Sequence, residues 1–383
     1  MPENRAKYSH KPPCRVLPTC VESLSRGEIV KRTLALTLAA VALVAAAGCS
    51  KPKPTTDPAP QAPPQSQPQS PTAPVTPVPE QPKPTELISG PIYLLEKPAK
   101  PLWEGPASVV IENSPGARPQ AGLDQADLVV EALSESEVTR TLAFFWSNPI
   151  KKIGPVRSAR TWLIDMADAY HAPFVHSGGS IAALVQLRDE WGPSNIDEIN
   201  NAGGYFYRSN DRQAPHNLYI DTDLLGKVIG DRKIAMKSVP TTPRAPAGAS
   251  ASSTPSGQII SRIDVDWHRL HDVSWQWDGK AYKRSEDGAP HNVEGGVITV
   301  PNLVFLGVEG VNNGWDLGWD LDYSQGGKAT VVAGGQTWEG TWTLSDGGIA
   351  LQPANGAKVP PLLPGQVWVH LITDESNFTL IKG

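Results

Sequence analysis

The chain has 383 residues, with 34 lysines and arginines against 39 acidic residues and a formal net charge of −5. This length exceeds one ordinary domain, so we expect several separate parts along the chain. Because a slightly acidic chain of average composition offers no general positive field, the sequence excludes a nucleic-acid partner and other general polyanion binding.

Residues 1–49 form a leader with a signal peptide. Lys31 and Arg32 precede an apolar run of roughly 15 residues that ends at Cys49, which is too short for a spanning helix. The small residues Ala46–Gly48 resemble the lipobox of bacterial lipoproteins, although the usual leucine is alanine here. The resemblance implies that Cys49 is lipidated and becomes the new N-terminus, so the protein is extracytoplasmic and membrane-anchored. Ordinary secretory cleavage at this point is the alternative.

The segment before the signal is long and mixed in charge, so translation starts either at Met1 or near Val30. Its two cysteines, Cys14 and Cys20, precede the signal, and Cys49 is the third and last cysteine of the chain. The exported part therefore has no pair of thiols. This excludes a disulfide and a thiolate metal site there.

Two low-complexity segments divide the rest of the chain. Residues 50–90 are mostly Pro, Gln, Thr, Ala and Ser and cannot form a core, so we expect a disordered spacer. Residues 240–258 have the Pro-, Ala- and Ser-rich composition of a flexible linker. This linker separates two predicted domains, at 91–239 and 259–383.

The first domain mixes strands with helices. Apolar runs of strand length and runs with helical spacing alternate, with strands at 127–133, 139–146 and 172–178 and helices at 158–170, 180–191 and 222–230. Ser180 fits the N-cap of the second helix. This pattern predicts a mixed α/β domain.

The second domain is rich in strands. Alternating apolar residues and hairpin turns such as Asp278-Gly279 and Gly334-Gly335 predominate after residue 258. Its tryptophans favour aromatic pairs within a small β core, and a platform for carbohydrate stacking is the alternative. The predicted fold class is α+β, an N-terminal mixed α/β domain followed by a smaller β-rich domain.

The run IGPVRSAR, residues 153–160, places two arginines at the start of the first predicted helix. A helix N-terminus is itself positive, so each cation there costs about 0.3–1 kcal/mol unless an anion is close. With Ser158 as the N-cap, backbone N–H groups and the guanidinium groups of Arg157 and Arg160 converge on one point. This arrangement predicts a site for phosphate or carboxylate.

Further polar residues stand in short contexts flanked by Gly or Pro. With Arg157 and Arg160, the predicted ligand-binding residues are Arg140, His176, Arg208, Arg212 and His216. The catalytic residues are unknown, and Asp165 and Asp127 are the candidates for a base or a cation ligand. The alternative, equally open, is that the arginines pair with carboxylates of the chain and bind no ligand.

Metal binding has no motif in its favour, because the histidines are scattered and lack paired spacing, so no metal site is predicted. A divalent cation held by one or two carboxylates would leave no pattern, and the cofactor stays unknown. The turn HSGGS, residues 176–180, has two glycines that allow a close approach to an oxyanion. A plain strand-to-helix turn is the simpler explanation.

Several of these runs occur in a fixed order: IENSPGARPQAGLDQADLVVEAL, TRTLAFF, IGPVRSAR, HSGGS and DRQAPHNLY, then YKRSEDGAPH, NLVFL, DLDYSQGGKATVV and LLPGQVWVHLI. In them the chain resembles the YerB-like lipoproteins, a bacterial family whose domains have no assigned function. The resemblance covers the chain from about Pro106 onward and implies a lipoprotein location and two domains, but no reaction. At ALSESEVTR the chain departs from the Glu-Gly-Gly type turn of the family, which weakens any role for Glu135 or Glu137.

The predicted function is that of a lipid-anchored envelope protein whose α/β domain binds an anionic, phosphate-bearing envelope ligand. The order of strand, arginine run, helix and Gly-rich turn is similar to that of the LytR-CpsA-Psr phosphotransferases. This similarity of layout implies phosphoryl or glycosyl-phosphate transfer if the protein is an enzyme, which the residues leave open. The alternative is a non-catalytic scaffold that binds the cell wall, through its glycan, or another protein, with the arginines in internal salt bridges.

Overall fold

The computed structural model describes residues 86–135, 138–246, 258–267, 272–314 and 318–383. The predicted signal peptide, the lipidation site Cys49 and most of the predicted spacer lie outside the described residues. Pairing begins shortly before residue 91. The amide of Ile88 donates to the carbonyl of Val359 at 2.8 Å, and the amide of Val359 donates back at 3.0 Å.

The part before residue 240 contains all three α-helices of the described chain and eight strands. In chain order they are β1 (Ile92–Tyr93), β2 (Ala107–Glu112), β3 (Leu128–Leu133), β4 (Thr139–Phe145), α1 (Thr161–Ala169), β5 (Phe174–His176), α2 (Ile181–Glu190), β6 (Asn195–Asp197), β7 (Tyr207–Arg208), β8 (Leu218–Tyr219) and α3 (Thr222–Asp231). The strands predicted at 127–133, 139–146 and 172–178 and the three predicted helices are all present.

The part after residue 258 consists of strands and one short 3₁₀ turn in the described ranges. In chain order they are β9 (Ile260–Asp266), β10 (Asp272–Trp277), β11 (Tyr282–Glu286), β12 (Ala289–Pro290), β13 (Asn292–Val293), β14 (Gly296–Val297), β15 (Thr299–Val300), β16 (Asn302–Gly307), β17 (Glu309–Asn312), β18 (Trp319–Asp322), β19 (Gly327–Ala333), β20 (Gln336–Ser345), β21 (Gly348–Pro353), β22 (Val367–Ile372) and β23 (Asn377–Lys382). The predicted hairpins at Asp278-Gly279 and Gly334-Gly335 join β10 to β11 and β19 to β20.

One mixed sheet of eleven strands forms the centre of the fold. Its strand order is β1-β21-β20-β19-β16-β22-β3-β4-β2-β5-β6. Strand β22 lies between β16 and β3 and is parallel to both, whereas β4 is antiparallel to β3 and to β2. Every residue of β2, β3 and β4 is buried. Near-continuous apolar strands of this kind are typical of sheets covered on both faces.

This sheet includes strands from both sides of the predicted linker at 240–258. The α+β class is confirmed, but the separation into an α/β domain and a β domain is only approximate, because strands of the two parts form one ladder. Residues 240–246 of the predicted linker pack against the folded part: the amide of Thr242 donates to Leu95 at 3.1 Å and that of Ala245 to Leu362 at 2.9 Å. Residues 247–257 lie outside the described residues, and the domain limits stay a prediction.

A second, smaller sheet packs on one face of the large one. Its order is β12-β11-β10-β9-β23, with β15 also paired to β11. The indole N–H of Trp275 in β10 donates to Nε2 of His370 in β22 at 3.0 Å, and its ring meets Trp368 edge-on with centroids 5.4 Å apart. The almost completely buried tryptophans are Trp146, Trp162, Trp267, Trp275, Trp342 and Trp368. The four of them that follow residue 258 fill the core, as the first of the two interpretations of that part's tryptophans expected.

The helices differ from the prediction mainly at one end. Helix α2 begins after Ser180, whose hydroxyl accepts from the amide of Ala183 at 3.3 Å, so the predicted N-cap is confirmed. Helix α1 begins at Thr161 with Arg160 at the N-cap position, so the predicted cap at Ser158 is wrong. Within the described ranges, no helix combines the length and apolar character needed to cross a membrane.

Candidate functional site

The register of β4 places two polar clusters on opposite faces of the large sheet. Thr141 lies opposite Glu131 of β3, whereas its neighbour Arg140 lies opposite Ala132 of β3 and Glu112 of β2. Successive side chains of a strand point to opposite faces, so Arg140 and Glu131 lie on different faces. The face of Arg140 carries predicted site residues, and the face of Glu131 carries a network that the sequence did not predict.

Three arginines and two glutamates meet on the first face. With one histidine they form the arginine cluster, defined as Arg140, Arg157, Arg160, Glu112, Glu135 and His216. Arg140 and Arg160 share the carboxylate of Glu135, the second at 2.8 Å. Arg157 Nε lies 3.3 Å from Glu112 Oε1, and His216 Nδ1 lies 2.9 Å from Glu112 Oε2. The structure thus brings together four of the seven predicted ligand-binding residues.

The backbone of the arginine run explains why α1 starts late. The amide of Arg157 donates to the carbonyl of Val110 in β2 at 3.0 Å, and the amide of Ala159 donates to the carbonyl of Gly178 at 2.9 Å. A segment whose amides pair with β2 and with the turn after β5 is extended and cannot be helical. This pairing holds the three arginines beside one another at the entrance to α1.

Several guanidinium N–H groups of the cluster are buried and have no acceptor among the described residues. They are Nε and Nη1 of Arg140, Nε of Arg160, and Nε of Arg157, which lies at ion-pair distance from Glu112 but makes no hydrogen bond to it. The exposed fraction of the side chain is 3% for Arg140, 11% for Arg160 and 31% for Arg157. A buried polar group without a partner costs about 1–3 kcal/mol, and a charged one costs more. The cluster therefore has hydrogen-bonding capacity that the described chain does not use.

Positive charge also exceeds negative charge in the cluster, since three guanidinium groups share two carboxylates of the described chain. Burial lowers the pKa of Arg140 to about 10; Arg160 and Arg157 add to the lowering, and Glu135 and Glu112 oppose it. Burial alone would raise the pKa of Glu135, but Arg140 and Arg160 outweigh burial and hold it below its usual value. An ionised Glu135 therefore leaves part of the positive charge uncompensated.

His176, another predicted ligand-binding residue, is a structural residue of β5. Its side chain is fully buried, with Nδ1 2.7 Å from the carbonyl of Gly178 and Nε2 2.8 Å from Oδ1 of Asn195. Its ring also packs against Phe174, with centroids 5.1 Å apart. Both ring nitrogens thus have partners inside the protein, and neither is available at a surface.

The turn HSGGS uses its polar groups within the fold. The hydroxyl of Ser177 donates to Glu198 at 2.8 Å, and the amide of Gly178 donates to Asp197 at 2.9 Å. Gly178 has a positive φ of 60°, which favours glycine. A Cβ on Gly179 would lie 3.1 Å from the Cβ of Ala159. The close approach that the two glycines permit is therefore to the arginine run itself.

Arg208 and Arg212 lie beside the arginine cluster without joining its ion pairs. Arg208 donates to Asn217 at 3.0 Å and pairs with Glu198 at 3.2 Å. Arg212 donates to the backbone carbonyls of Ala117 and Pro119 and so ties down the loop after β2. Both arginines thus fix the loops that surround His216.

The two candidate catalytic acids have structural partners. Asp127 accepts from the amides of Trp146 and Ser147 at 2.6 and 3.1 Å and from the Ser147 hydroxyl. Burial raises its pKa, against these hydrogen bonds. Asp127 precedes β3, about 16 Å along the strand from Ala132, the partner of Arg140, at about 3.3 Å per residue. Asp165 of α1 accepts from Nε2 of Gln186 at 2.7 Å.

The second face carries the buried network, defined as Glu131, Arg284, Glu286, His291 and His370. Glu131 and Arg284 are fully buried and form a two-pronged ion pair at 2.8 and 2.9 Å. Glu131 also accepts from the indole of Trp368 at 2.9 Å and from the hydroxyl of Thr139 at 2.8 Å. Such a fork is the strongest form of side-chain hydrogen bonding, and here it joins β3 to the small sheet.

Glu286 extends the network to the loop after β2. It accepts from Asn113 at 2.9 Å, pairs with Arg118 at 2.6 Å and lies 2.6 Å from Nδ1 of His291. Nε2 of His291 lies 2.9 Å from Oε1 of Gln120. The parts before and after residue 240 are therefore connected by buried ionic contacts as well as by the shared sheet.

Electrostatics in the network favour a charged carboxylate and neutral histidines. Burial would raise the pKa of Glu131, but the charge of Arg284 outweighs it and the pKa is lowered. Burial lowers the pKa of His370 to about 3 and also lowers that of His291. Near pH 7 the network therefore has a charged Glu131 and neutral histidines, and Nδ1 of His370 lies buried 3.4 Å from Glu131 without a hydrogen bond among the described residues.

Sequence reasoning missed Glu112, Arg284 and the two network histidines. Glu112 ends an apolar strand, and Arg284 stands in an alternating strand, so each has the pattern of an ordinary surface residue. Their roles come from pairs far apart in sequence, such as Glu131 with Arg284. Within the described ranges, no group of three or more His, Cys, Asp or Glu side chains is placed to hold a metal ion.

Comparisons with known proteins agree with this fold. Residues 95–235 match the model of the N-terminal domain of the family described as protein of unknown function DUF3048, and residues 263–369 match its C-terminal domain. A relative from Bacillus subtilis (strain 168), named "Putative lipoprotein YerB", is 29% identical over 308 residues, which are 79% of this chain and 91% of the relative. The crystal structure of the YerB protein from Bacillus subtilis matches with a TM-score of 0.62 at 28% identity, covering 72% of this chain and 94% of that one.

Fold and comparisons together define the class of protein, one of α+β architecture whose family domains are described as of unknown function and whose Bacillus subtilis relative is named a putative lipoprotein. The two family models follow one another in the same order as the two predicted parts. The chain belongs to the YerB-like family. In this chain, strands from the regions matched by the N-terminal and C-terminal family models form one sheet.

Proposed function

We propose that the protein is anchored to the membrane by a lipid on Cys49 and binds a phosphate-bearing ligand of the cell envelope at the arginine cluster. The lipobox-like segment and the lipoprotein relative support the anchor. One observation supports the ligand: three guanidinium groups share two carboxylates of the described chain, and four of their N–H groups are buried without an acceptor. The proposal concerns binding, and phosphoryl or glycosyl-phosphate transfer stays a prediction.

A phosphoryl group supplies what the cluster lacks. It brings negative charge to offset the excess guanidinium and three oxygens that accept from the unpartnered N–H groups. The first amides of α1 have no carbonyl partner within the helix, and they add positive potential at its N-cap, Arg160. Arg157 and His216, each about one-third exposed, give a ligand access from solvent.

A scaffold without a ligand is the second candidate. It is favoured by the fact that each arginine of the cluster already contacts a carboxylate of the chain. In that case the cluster only connects β2, β4 and the entrance of α1. A glycan or protein partner would then bind elsewhere on the molecule.

Thermal unfolding of the purified full chain with pyrophosphate and with geranyl pyrophosphate separates the two candidates. A ligand that binds only the folded state at 100 times its Kd adds about 2.7 kcal/mol of stability. We expect both compounds to raise the Tm, whereas sodium chloride of equal ionic strength does not.

Arg157→Ala sharpens the test. Its side chain is partly exposed and makes one long ion pair, so we expect a loss of less than about 1 kcal/mol in the free protein. The pyrophosphate-induced rise in Tm should disappear. Arg262→Ala is the control, because Arg262 is half-exposed and pairs with Asp264 at 2.6 Å in the small sheet. If pyrophosphate does not raise the Tm of the parent protein, and the two variants are equally stable, the result would support the scaffold function and contradict the ligand site.

A further inference from the structure

A cavity of about 360 Å³ lies away from the arginine cluster, beside the segment before β3, the residues before β22 and the ordered start of the predicted linker. Its size falls in the lower part of the range of small-molecule sites, about 300–1,000 Å³. The polar residues that line it include Glu96, Asp124, Asp127, Arg244 and Gln366. Neither the predicted function nor the proposed function uses it.

Arg244 is the cation of this cavity. Only 3% of its side chain is exposed, and its one short hydrogen bond runs from Nη2 to the carbonyl of Leu94 at 2.6 Å. Its nearest acid, Glu96, lies 4.0 Å from Nε. Nε and Nη1 are buried and have no acceptor among the described residues. Burial lowers the pKa of Arg244 to about 10, with Glu96 and Asp127 opposing, so the group is charged at neutral pH.

Two acceptor atoms in the same cavity have no donor among the described residues. They are Oδ1 of Asp124 and Oε1 of Gln366, both buried. The amide nitrogen of Gln366 donates to the carbonyls of Leu123 and Ala126, each at 2.8 Å, which fixes the orientation of the side chain. Asp127, by contrast, is saturated by Trp146 and Ser147. The cavity therefore lacks donors at one place and acceptors at another.

The charges decide the chemistry of a guest. Three carboxylates, those of Glu96, Asp124 and Asp127, line a cavity with one guanidinium among its described residues. A simple anion would satisfy Arg244 and meet an excess of negative charge. A simple cation would satisfy the acceptors and leave Arg244 without a partner. A molecule with an ammonium group and a carboxylate satisfies both ends.

We infer that this cavity binds a small zwitterion, a free amino acid or a short peptide with both termini free. The ammonium group donates to Asp124 and Gln366, and the carboxylate accepts from Arg244. The site differs in place and in ligand class from the arginine cluster, so it does not depend on the proposed function.

Isothermal titration calorimetry of the purified full chain tests the inference with matched probes. Alanyl-alanine carries both charges, N-acetyl-alanyl-alanine lacks the ammonium group, and alanyl-alanine amide lacks the carboxylate. We expect the dipeptide to bind at millimolar concentration or below, and each blocked form to bind at least about tenfold more weakly. Equal binding of all three probes, or no binding of the dipeptide at millimolar concentration, overturns the inference.

Asp124→Asn provides the variant, because it removes the charge and keeps the shape of the side chain. We expect an affinity for alanyl-alanine at least about tenfold lower. Asp223→Asn is the matched control on the surface of α3, where Asp223 pairs with Lys151. Both variants should keep the Tm rise with pyrophosphate, so failure here is distinct from failure at the arginine cluster. Unchanged dipeptide affinity in Asp124→Asn contradicts the assignment of the ammonium end.

Discussion

The two faces of the large sheet carry the same kinds of charged side chain in opposite states. On one face, Glu131 and Arg284 form a fully buried fork whose carboxylate has further donors. On the other face, Arg140, Arg157 and Arg160 share two carboxylates of the described residues and keep buried N–H groups for which these residues provide no acceptor. Among the described residues, the face of the arginine cluster has several unused guanidinium N–H groups and a partly exposed entrance, whereas the Glu131–Arg284 pair is complete.

This difference separates structural ion pairs from a candidate binding site. A buried pair is expensive to desolvate and is stable only when its geometry is complete. The Glu131–Arg284 pair meets that condition and connects the parts before and after residue 240. The arginine cluster does not meet it, so either a guest completes it or the protein tolerates the cost. Substitutions on the two faces should therefore behave differently.

Glu131→Gln should have the largest effect. It leaves the buried Arg284 without its counter-charge, and breaking a buried pair in this way costs about 3–5 kcal/mol. Urea unfolding of the variant and the parent protein measures the loss. A loss of less than about 1 kcal/mol in the free energy of unfolding would mean that water or rearrangement compensates the charge of Arg284. The buried pair would then not be a structural element distinct from the arginine cluster.

Acid should weaken the network through its histidines. His370 has a pKa lowered to about 3 by burial, so the unfolded chain binds more protons than the folded one below the ordinary histidine pKa of 6.5. Stability is then fully present above pH 6.5 and falls by about 1.4 kcal/mol per pH unit for His370 as the pH drops towards 4. His291, also lowered by burial, adds to the slope.

Urea midpoints at pH 7.5, 6 and 5 measure this slope. His370→Gln keeps an acceptor for the indole of Trp275 and removes one titrating group. The stability of this variant should therefore fall less steeply with decreasing pH, because one histidine no longer contributes. Equal stability of the parent at pH 7.5 and 5 would contradict neutral, buried histidines.

Glu135→Gln should moderately lower the stability of the free protein and raise its affinity for pyrophosphate. It removes the shared carboxylate from the buried Arg140 and costs about 1–3 kcal/mol. The freed guanidinium groups should bind pyrophosphate more tightly, so the ligand-induced rise in Tm grows. The equivalent change on the other face, Glu131→Gln, should give no such gain, and equal gains in the two variants would remove the distinction.

Lys151→Ala should have the smallest effect. Its ion pair with Asp223 lies in solvent, with both side chains largely exposed, and such pairs often contribute nothing measurable. We expect the variant to have the same urea midpoint and the same pyrophosphate-induced rise in Tm as the parent protein. A clear loss of either would show that general surface charge, and not the cluster, controls the measurements.

Much of the local structure could be predicted from the sequence. Helical spacing and a serine cap located α2, and apolar runs located β3 and β4. Arg157 and Arg160 were expected to lie together because three positions separate them after a Gly-Pro turn, whereas Arg140 joins them through the register of β4.

The remaining features depend on register and on distant partners. Which face Arg140 occupies follows from its pairing with Glu112 and Ala132, and a shift of one residue would reverse it. The start of α1 was misplaced because the amides of Arg157 and Ala159, just before the helix, pair with β2 and with the turn after β5. Arg244 stands in a Pro- and Ala-rich run whose composition indicates only a linker, although its side chain is buried.

The position of β22 has a consequence for biogenesis. This strand, residues 367–372, sits between β3 and β16 in the sheet, yet it is synthesised after both of them. Until it arrives, β3 presents an open edge that other chains can join. A product truncated at residue 258 would keep that edge and lack the counter-ion of Glu131, so secretion of the N-terminal part alone should end in aggregation or proteolysis.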